Sequence, residues 1–117
     1  MNIGNIADPR IVEISQKVVK AAMDTLGDRL EKVILYGSYA RGDYRDESDI
    51  DFIIIADVPQ EEAGRWRDSI YDRIPCIDLD YDIIVSVKVT GSLIFNKYIN
   101  TLPYYMNIIK EGVVLND

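Results

Sequence analysis

The sequence predicts an α/β fold of α+β character, with one mixed central sheet and helices packed on it. Two observations predict it. Short β-rich apolar runs, Val33–Tyr36 and Ile50–Ala56, alternate with segments whose apolar residues recur at helical spacing, and Gly or Pro stands near most junctions. The chain of 117 residues is 48% apolar, which suits one compact core with little left for a second lobe, so residues 1–117 are expected to form one domain.

Each element has a local reason. Asp8-Pro9 opens the first helix, Asp as cap and Pro at the first helical position. Ile11, Ile14, Val18, Ala22 and Leu26 give it one apolar stripe, and Gly27 ends it. Val33–Tyr36 forms the first strand and runs straight into Gly37. Ser38–Arg41 opens a short helix, and Asp43–Ser48 is a charged loop. Ile50–Ala56 has almost no polar break after Asp51, the mark of a strand buried on both faces.

Pro59 opens the next helix, with Glu61 and Glu62 in its first turn, Arg73 in its last, and Ala63, Trp66 and Ile70 inward; Pro75 stops it. A third strand is expected over Ile77–Val87. Leu93, Ile94, Tyr98 and Ile99 suggest a further helix, Pro103 starts another that runs to Gly112, and Val113–Leu115 suits a last edge strand.

Composition excludes several function classes. A net charge of −7 argues against a nucleic-acid footprint, which needs a basic face. It leaves nucleotide binding open, because a bound cation can supply positive charge. With no histidine there is no His general base, no Ser-His-Asp triad and no His-ligated zinc. The single cysteine, Cys76, cannot form an internal disulfide. Met1–Asp8 is polar and mixed, and no apolar run reaches the length of a membrane span; a cytoplasmic location without membrane attachment is expected.

The stretch Gly37–Phe52 carries the chemistry. Gly37 follows a strand and Ser38 can cap the helix after it, so backbone N–H groups and the serine hydroxyl can meet a phosphate there. Glycine permits close approach, and Arg41 lies one turn on, where its guanidinium can add a phosphate contact. Gly-Ser alone is more often a plain turn; Gly91-Ser92 has no carboxylate pair after it. The motif is not a P-loop, for it lacks the second glycine and the Lys-Ser/Thr.

Ten residues separate Ser38 from Asp49-Ile50-Asp51. In a strand both carboxylates leave the same face, roughly 6.6 Å apart along the chain at about 3.3 Å per residue. The expected third strand repeats the pattern, with Asp78, Asp80 and Asp82 on one face. Paired strands would unite these rows, and like charges so close need a compensating divalent cation. Asp78, Asp80 and Asp82 by themselves read more simply as a solvated sheet face.

Gly37-Ser38, ten residues, then Asp49-x-Asp51, with Ala40-Arg41-Gly42 and Ser48 filled in, resembles the minimal nucleotidyltransferases, a branch of the DNA polymerase β-like superfamily. The ending Leu102-Pro103-Tyr104-Tyr105 through Gly112-Val113-Val114-Leu115 is similar to the family's closing helix and strand. The resemblance covers most of the chain. It implies the nucleotidyltransferase fold and a metal-dependent transfer of a nucleoside monophosphate, AMP from ATP above all, to a hydroxyl.

On that reading Gly37, Ser38 and Arg41 hold the triphosphate. Asp49, Asp51 and one later carboxylate bind Mg²⁺, two ions in such sites, with Mn²⁺ as the alternative. Asp82 is the first choice for the third carboxylate, because Tyr81-Asp82-Ile83-Ile84-Val85 fits an apolar-Asp-apolar pattern; Asp80 and Asp78 follow. Many free-standing members are antitoxins of helical HEPN proteins, which implies a tyrosine of such a toxin as acceptor. Two other readings compete: a catalytically weak module that neutralises its partner by docking, and a small-molecule nucleotidyltransferase whose missing substrate lobe a homo-oligomer or another chain supplies.

Overall fold

The computed structural model describes residues 8–45 and 48–116; Asp46 and Glu47 of the expected charged loop lie outside the described residues. Helix α1 runs Pro9–Leu26, and the Asp8 carboxylate accepts a hydrogen bond from the Arg10 amide at 2.9 Å. Its stripe Ile11, Ile14, Val18, Ala22 and Leu26 is buried as expected. Gly27 turns the chain through a 3-10 turn, Gly27–Arg29, into strand β1, Leu30–Tyr36. Helix α2 is one turn, Ser38–Arg41, and strand β2 is Ile50–Ala56.

After Pro59 a 3-10 turn, Gln60–Glu62, leads into α3, Ala63–Asp72, whose Ala63 and Ile70 are buried. A short helix α4, Ile77–Tyr81, precedes strand β3, Val85–Gly91. Helices α5, Ser92–Tyr98, and α6, Pro103–Glu111, then lead to the edge strand β4, Val113–Val114.

The sheet order is β3-β2-β1-β4. Strand β1 is antiparallel to both β2 and β4, and β3 is parallel to β2, so the sheet is mixed as expected. Period two divides β2 between two cores. Phe52 and Ile54 join the core that takes in α1 and α3, whereas Ile53 and Ile55 join a smaller core with Phe95 of α5 and Ile108 of α6. Helices on both faces explain the unbroken apolar run. Among the described residues, no helix is long and apolar enough to cross a membrane.

One element departs from expectation. Ile77–Tyr81 is helical rather than the start of the third strand, so Asp78, Asp80 and Asp82 do not form a sheet row. The register explains it. Val85 pairs with Ile50, the first residue of β2. Every residue before Val85 would need a partner in the charged loop before Ile50. The chain instead makes one turn of helix, entered through Cys76 (φ 62°) and left through Asp82 (φ 53°), both in the left-handed region. Ile77 is buried, while Leu79 is 82% exposed, so the apparent alternation of Ile77, Leu79 and Tyr81 is not a buried strand face.

Candidate active site

The strand pairing brings the two halves of the motif together. Tyr36 is the antiparallel partner of Asp51, so Gly37, the next residue, lies beside the Asp51 side chain. Gly37 sits at φ 76° and ψ −156°, a region essentially open only to glycine. A Cβ there would stand 2.5 Å from Asp51 Oδ2. Backbone and carboxylate are therefore in direct contact, and the residue must be glycine on both counts.

Asp51 is half-buried and belongs to the face covered by α5 and α6. Burial raises its carboxyl above the usual range, and the Asp49 charge raises it further; Lys88 and Arg41 pull the other way. Asp49 is exposed, just before the first residue of β2. Ser38 starts α2, and its carbonyl accepts the Gly42 amide at 2.8 Å and the Asp43 amide at 3.1 Å. The Gly37 carbonyl accepts the Ala40 and Arg41 amides, both at 3.1 Å. The Arg41 guanidinium is held between Asp43 (3.2 Å) and Glu111 of α6 (3.4 Å).

The three later aspartates separate. Asp78 Oδ1 accepts the Val85 amide at 2.9 Å and so fixes the start of β3. Asp80 lines a different cavity, with Lys17, Lys20 and Arg73. Asp82 is exposed and shares a cavity of about 350 Å³ with Ser48, Asp49, Asp78 and Ile84. Beside Asp51 on the parallel neighbour β3 stands Ser86, not a carboxylate. Among the described residues, no three carboxylates converge on one ligand position.

Asp49 and Asp51 nonetheless fit a hard divalent cation: both offer carboxylate oxygens, and the Asp49 charge that raises the Asp51 carboxyl is the kind of repulsion a cation relieves.

Sequence reasoning missed a group on the same face. Lys88 Nζ donates to the Tyr104 hydroxyl at 3.1 Å and lies 5.1 Å from that ring's centroid. The Tyr104 and Tyr36 hydroxyls are 2.9 Å apart. Burial, and then this hydrogen bond, push the Tyr36 phenol above the usual tyrosine range, so it stays protonated. The signal was present: Ser86 and Lys88 alternate with buried Val85, Val87 and Val89. The expected strand stopped at Val87, one residue short.

The structure thus packs the Gly37 turn on the Asp51 carboxylate, with Arg41 at the end of the short helix α2 that follows. The comparisons give the family. Residues 16–115 match the family described as "Nucleotidyltransferase domain", and the chain belongs to it. Enzymes of this family generally use divalent metal ions.

The chain is 37% identical over 100 residues to the Methanocaldococcus jannaschii protein named "Putative protein adenylyltransferase MJ0604", covering 86% of this chain and 92% of that one. It is 35% identical over 95 residues to "Putative protein adenylyltransferase MJ0141" of the same organism, covering 81% and 94%. In fold it is similar to a chain in a crystal structure of a toxin–antitoxin with AMP-PNP, at TM-score 0.51 and 16% identity, covering 86% of this chain and 70% of that one. A chain of a mutant toxin–antitoxin MntA-HpeT is similar at TM-score 0.50 and 14% identity, with the same coverage.

Proposed function

We propose that this chain is a protein adenylyltransferase that moves AMP from ATP to a hydroxyl of a partner protein. The observation that carries the reading is the contact between the Gly37 backbone and the Asp51 carboxylate, which joins a phosphate cradle to a cation site. Gly37, Ser38 and Arg41 hold the triphosphate. Asp49 and Asp51 hold Mg²⁺, in one or two ions, which neutralises the phosphates and polarises the phosphoryl group.

The acceptor oxygen forms a bond to the α-phosphorus as the bond to the bridging oxygen breaks and pyrophosphate leaves. Asp82, at the rim of the cavity that Asp49 lines, takes the acceptor proton. Most of the acceleration comes from positioning and from fixed charge. The two relatives named protein adenylyltransferases support the acceptor class. So do Leu79 and Ile84, which are 82% and 59% exposed and line the Asp49 cavity, an apolar contact suited to a protein surface. A tyrosine of a helical HEPN-type toxin is the acceptor this reading selects, with the chain acting as antitoxin.

The test is to incubate the chain with α-phosphate-labelled ATP, Mg²⁺ and the product of the adjacent gene. Label on a tyrosine of the partner, lost in the Asp49→Asn, Asp51→Asn double variant, is the expected result. Label that persists in that variant sinks the reading. The absence of a carboxylate at Ser86 favours a second reading, a weakly catalytic module that neutralises by docking. The same double variant decides between them in cells: neutralisation retained without transfer selects docking.

A further inference from the structure

The face that carries Asp51 also carries a cation and a hydroxyl outside the sequence motif. Asp51 pairs with Ser86 and Ile53 with Lys88, so the Lys88 side chain leaves the sheet on the Asp51 face. Lys88 is exposed. Its ammonium donates to the Tyr104 hydroxyl at 3.1 Å, which in turn shares a hydrogen bond with Tyr36 at 2.9 Å. Tyr104, Asn107 and Glu111 of helix α6 line, with Gly37 and Arg41, an open cavity of about 210 Å³. That is space for several waters, room for a diphosphate group.

The cavity is lined by Gly37 and Arg41 and shares no lining residue with the cavity that Asp49 and Asp82 line. A triphosphate lying on Gly37 with its α-phosphate toward the acceptor would send its far phosphates this way. Arg41 lines the cavity and Lys88 is hydrogen-bonded to its wall at Tyr104. A lysine ammonium is a compact donor for phosphate oxygens, and a tyrosine hydroxyl adds a neutral one.

We propose that Lys88 and Tyr104, together with Arg41, form the subsite for the β- and γ-phosphates and hold the pyrophosphate as it leaves. The inference rests on the nucleotidyl-transfer reading above. When the bond between the α-phosphorus and the bridging oxygen breaks, the electron pair stays on pyrophosphate, and the new charge falls beside the Lys88 ammonium. The bond formed is to the acceptor oxygen, whose proton is lost. Lys88 therefore favours the leaving state over the intact triphosphate.

Calorimetric titration with ATP, AMP and inorganic pyrophosphate, each with Mg²⁺, tests it on the wild type and on Lys88→Met, Lys88→Arg and Tyr104→Phe. Thermal melts check that each variant folds. Lys88→Met should weaken ATP and pyrophosphate roughly tenfold or more, the scale of one charge-assisted hydrogen bond, and leave AMP unchanged. Lys88→Arg should recover part of the loss, and Tyr104→Phe should lose several-fold for the same two ligands. Unchanged ATP binding in Lys88→Met overturns the subsite, and so does an equal loss for ATP and AMP. A wild type that binds pyrophosphate but not ATP leaves an anion pocket without the nucleotide reading, and one that binds none of the three overturns both.

Discussion

Gly37→Ala adds one methyl group at the point where the cradle meets the carboxylate, and it should damage the site more than the fold. At φ 76° and ψ −156° an alanine is strained by about 1–3 kcal/mol. Its Cβ would also stand 2.5 Å from Asp51 Oδ2, closer than real Cβ contacts come, so the carboxylate must rotate away. A loss of about 2 kcal/mol in a chain of this size lowers the Tm by roughly 6–12 °C. That lies well inside the 5–15 kcal/mol stability usual for a domain, so the variant folds. A displacement of about 1 Å at a reacting group costs on the order of a hundredfold in rate, so transfer should fall by at least that much. Circular-dichroism melts and labelled-ATP transfer measure the two effects. A double-mutant cycle with Asp51→Ala separates strain from contact, because removing the carboxylate relieves the overlap and leaves the φ strain. A coupling of about 1 kcal/mol is expected. An unchanged Tm in Gly37→Ala, or the same loss in both backgrounds, would refute the reasoning.

The remaining predictions follow from single groups. Asp51→Asn should raise the Tm near neutral pH while abolishing transfer. The sign follows from the raised Asp51 carboxyl: a folded pKa above the unfolded value makes the carboxyl's contribution greatest below the unfolded pKa and diminishes it as pH rises through the folded one, and the amide removes that decline. Asp8 behaves oppositely. Its carboxyl is held low, chiefly by the Arg10 side chain, so its contribution is present above the ordinary carboxylate range and lost as pH falls through the folded pKa; Asp8→Ala should cost about 1 kcal/mol in urea unfolding at pH 7 and less in acid. Asp78→Ala should cost about 1–3 kcal/mol, because it leaves the Val85 amide without its partner. Asp82→Asn should leave the melt unchanged and slow transfer, which separates the structural carboxylate from the proposed functional one.

The parts of the fold that were legible are those where one residue type answers one physical demand. Asp8 and Pro9 start α1 because a cap and a missing N–H suit that position and few others. The unbroken run Ile53-Ile54-Ile55-Ala56 reads as a strand between two layers because no one-sided strand tolerates it. Helix α4 was not legible, because Ile77-Asp78-Leu79-Asp80-Tyr81 satisfies two periods at once. Ile77 and Tyr81 stand i, i+4 on a helix, and Ile77, Leu79 and Tyr81 stand i, i+2 on a strand. The tie is broken by where β2 begins, which is information from another segment. Lys88 was missed because the expected strand ended at Val87; the local alternation puts Lys88 on the face of Ser86, and the β2–β3 register makes that the face of Asp51.

That same register governs how the candidate site can work. A carboxylate borne on β3 beside Asp51 would be held by the sheet itself, as rigidly as Asp51. Ser86 occupies that position, so any third carboxylate has to come from outside the sheet. Asp82 is held instead by a helix end in left-handed conformation: its own amide and the Ile83 amide (3.2 Å) donate to the Asp78 carbonyl, and the Val85 amide donates to the Asp78 carboxylate (2.9 Å). Its place in the cavity that Asp49 also lines is thus set by a turn that carries the exposed Leu79 and flanks the exposed Ile84. A partner protein that covers those two side chains would press on the element that positions Asp82. On the proposed reading, docking of the acceptor and placement of Asp82 would be one event, whereas Asp51 and Lys88 are held by the sheet beforehand, with Gly37 directly after β1.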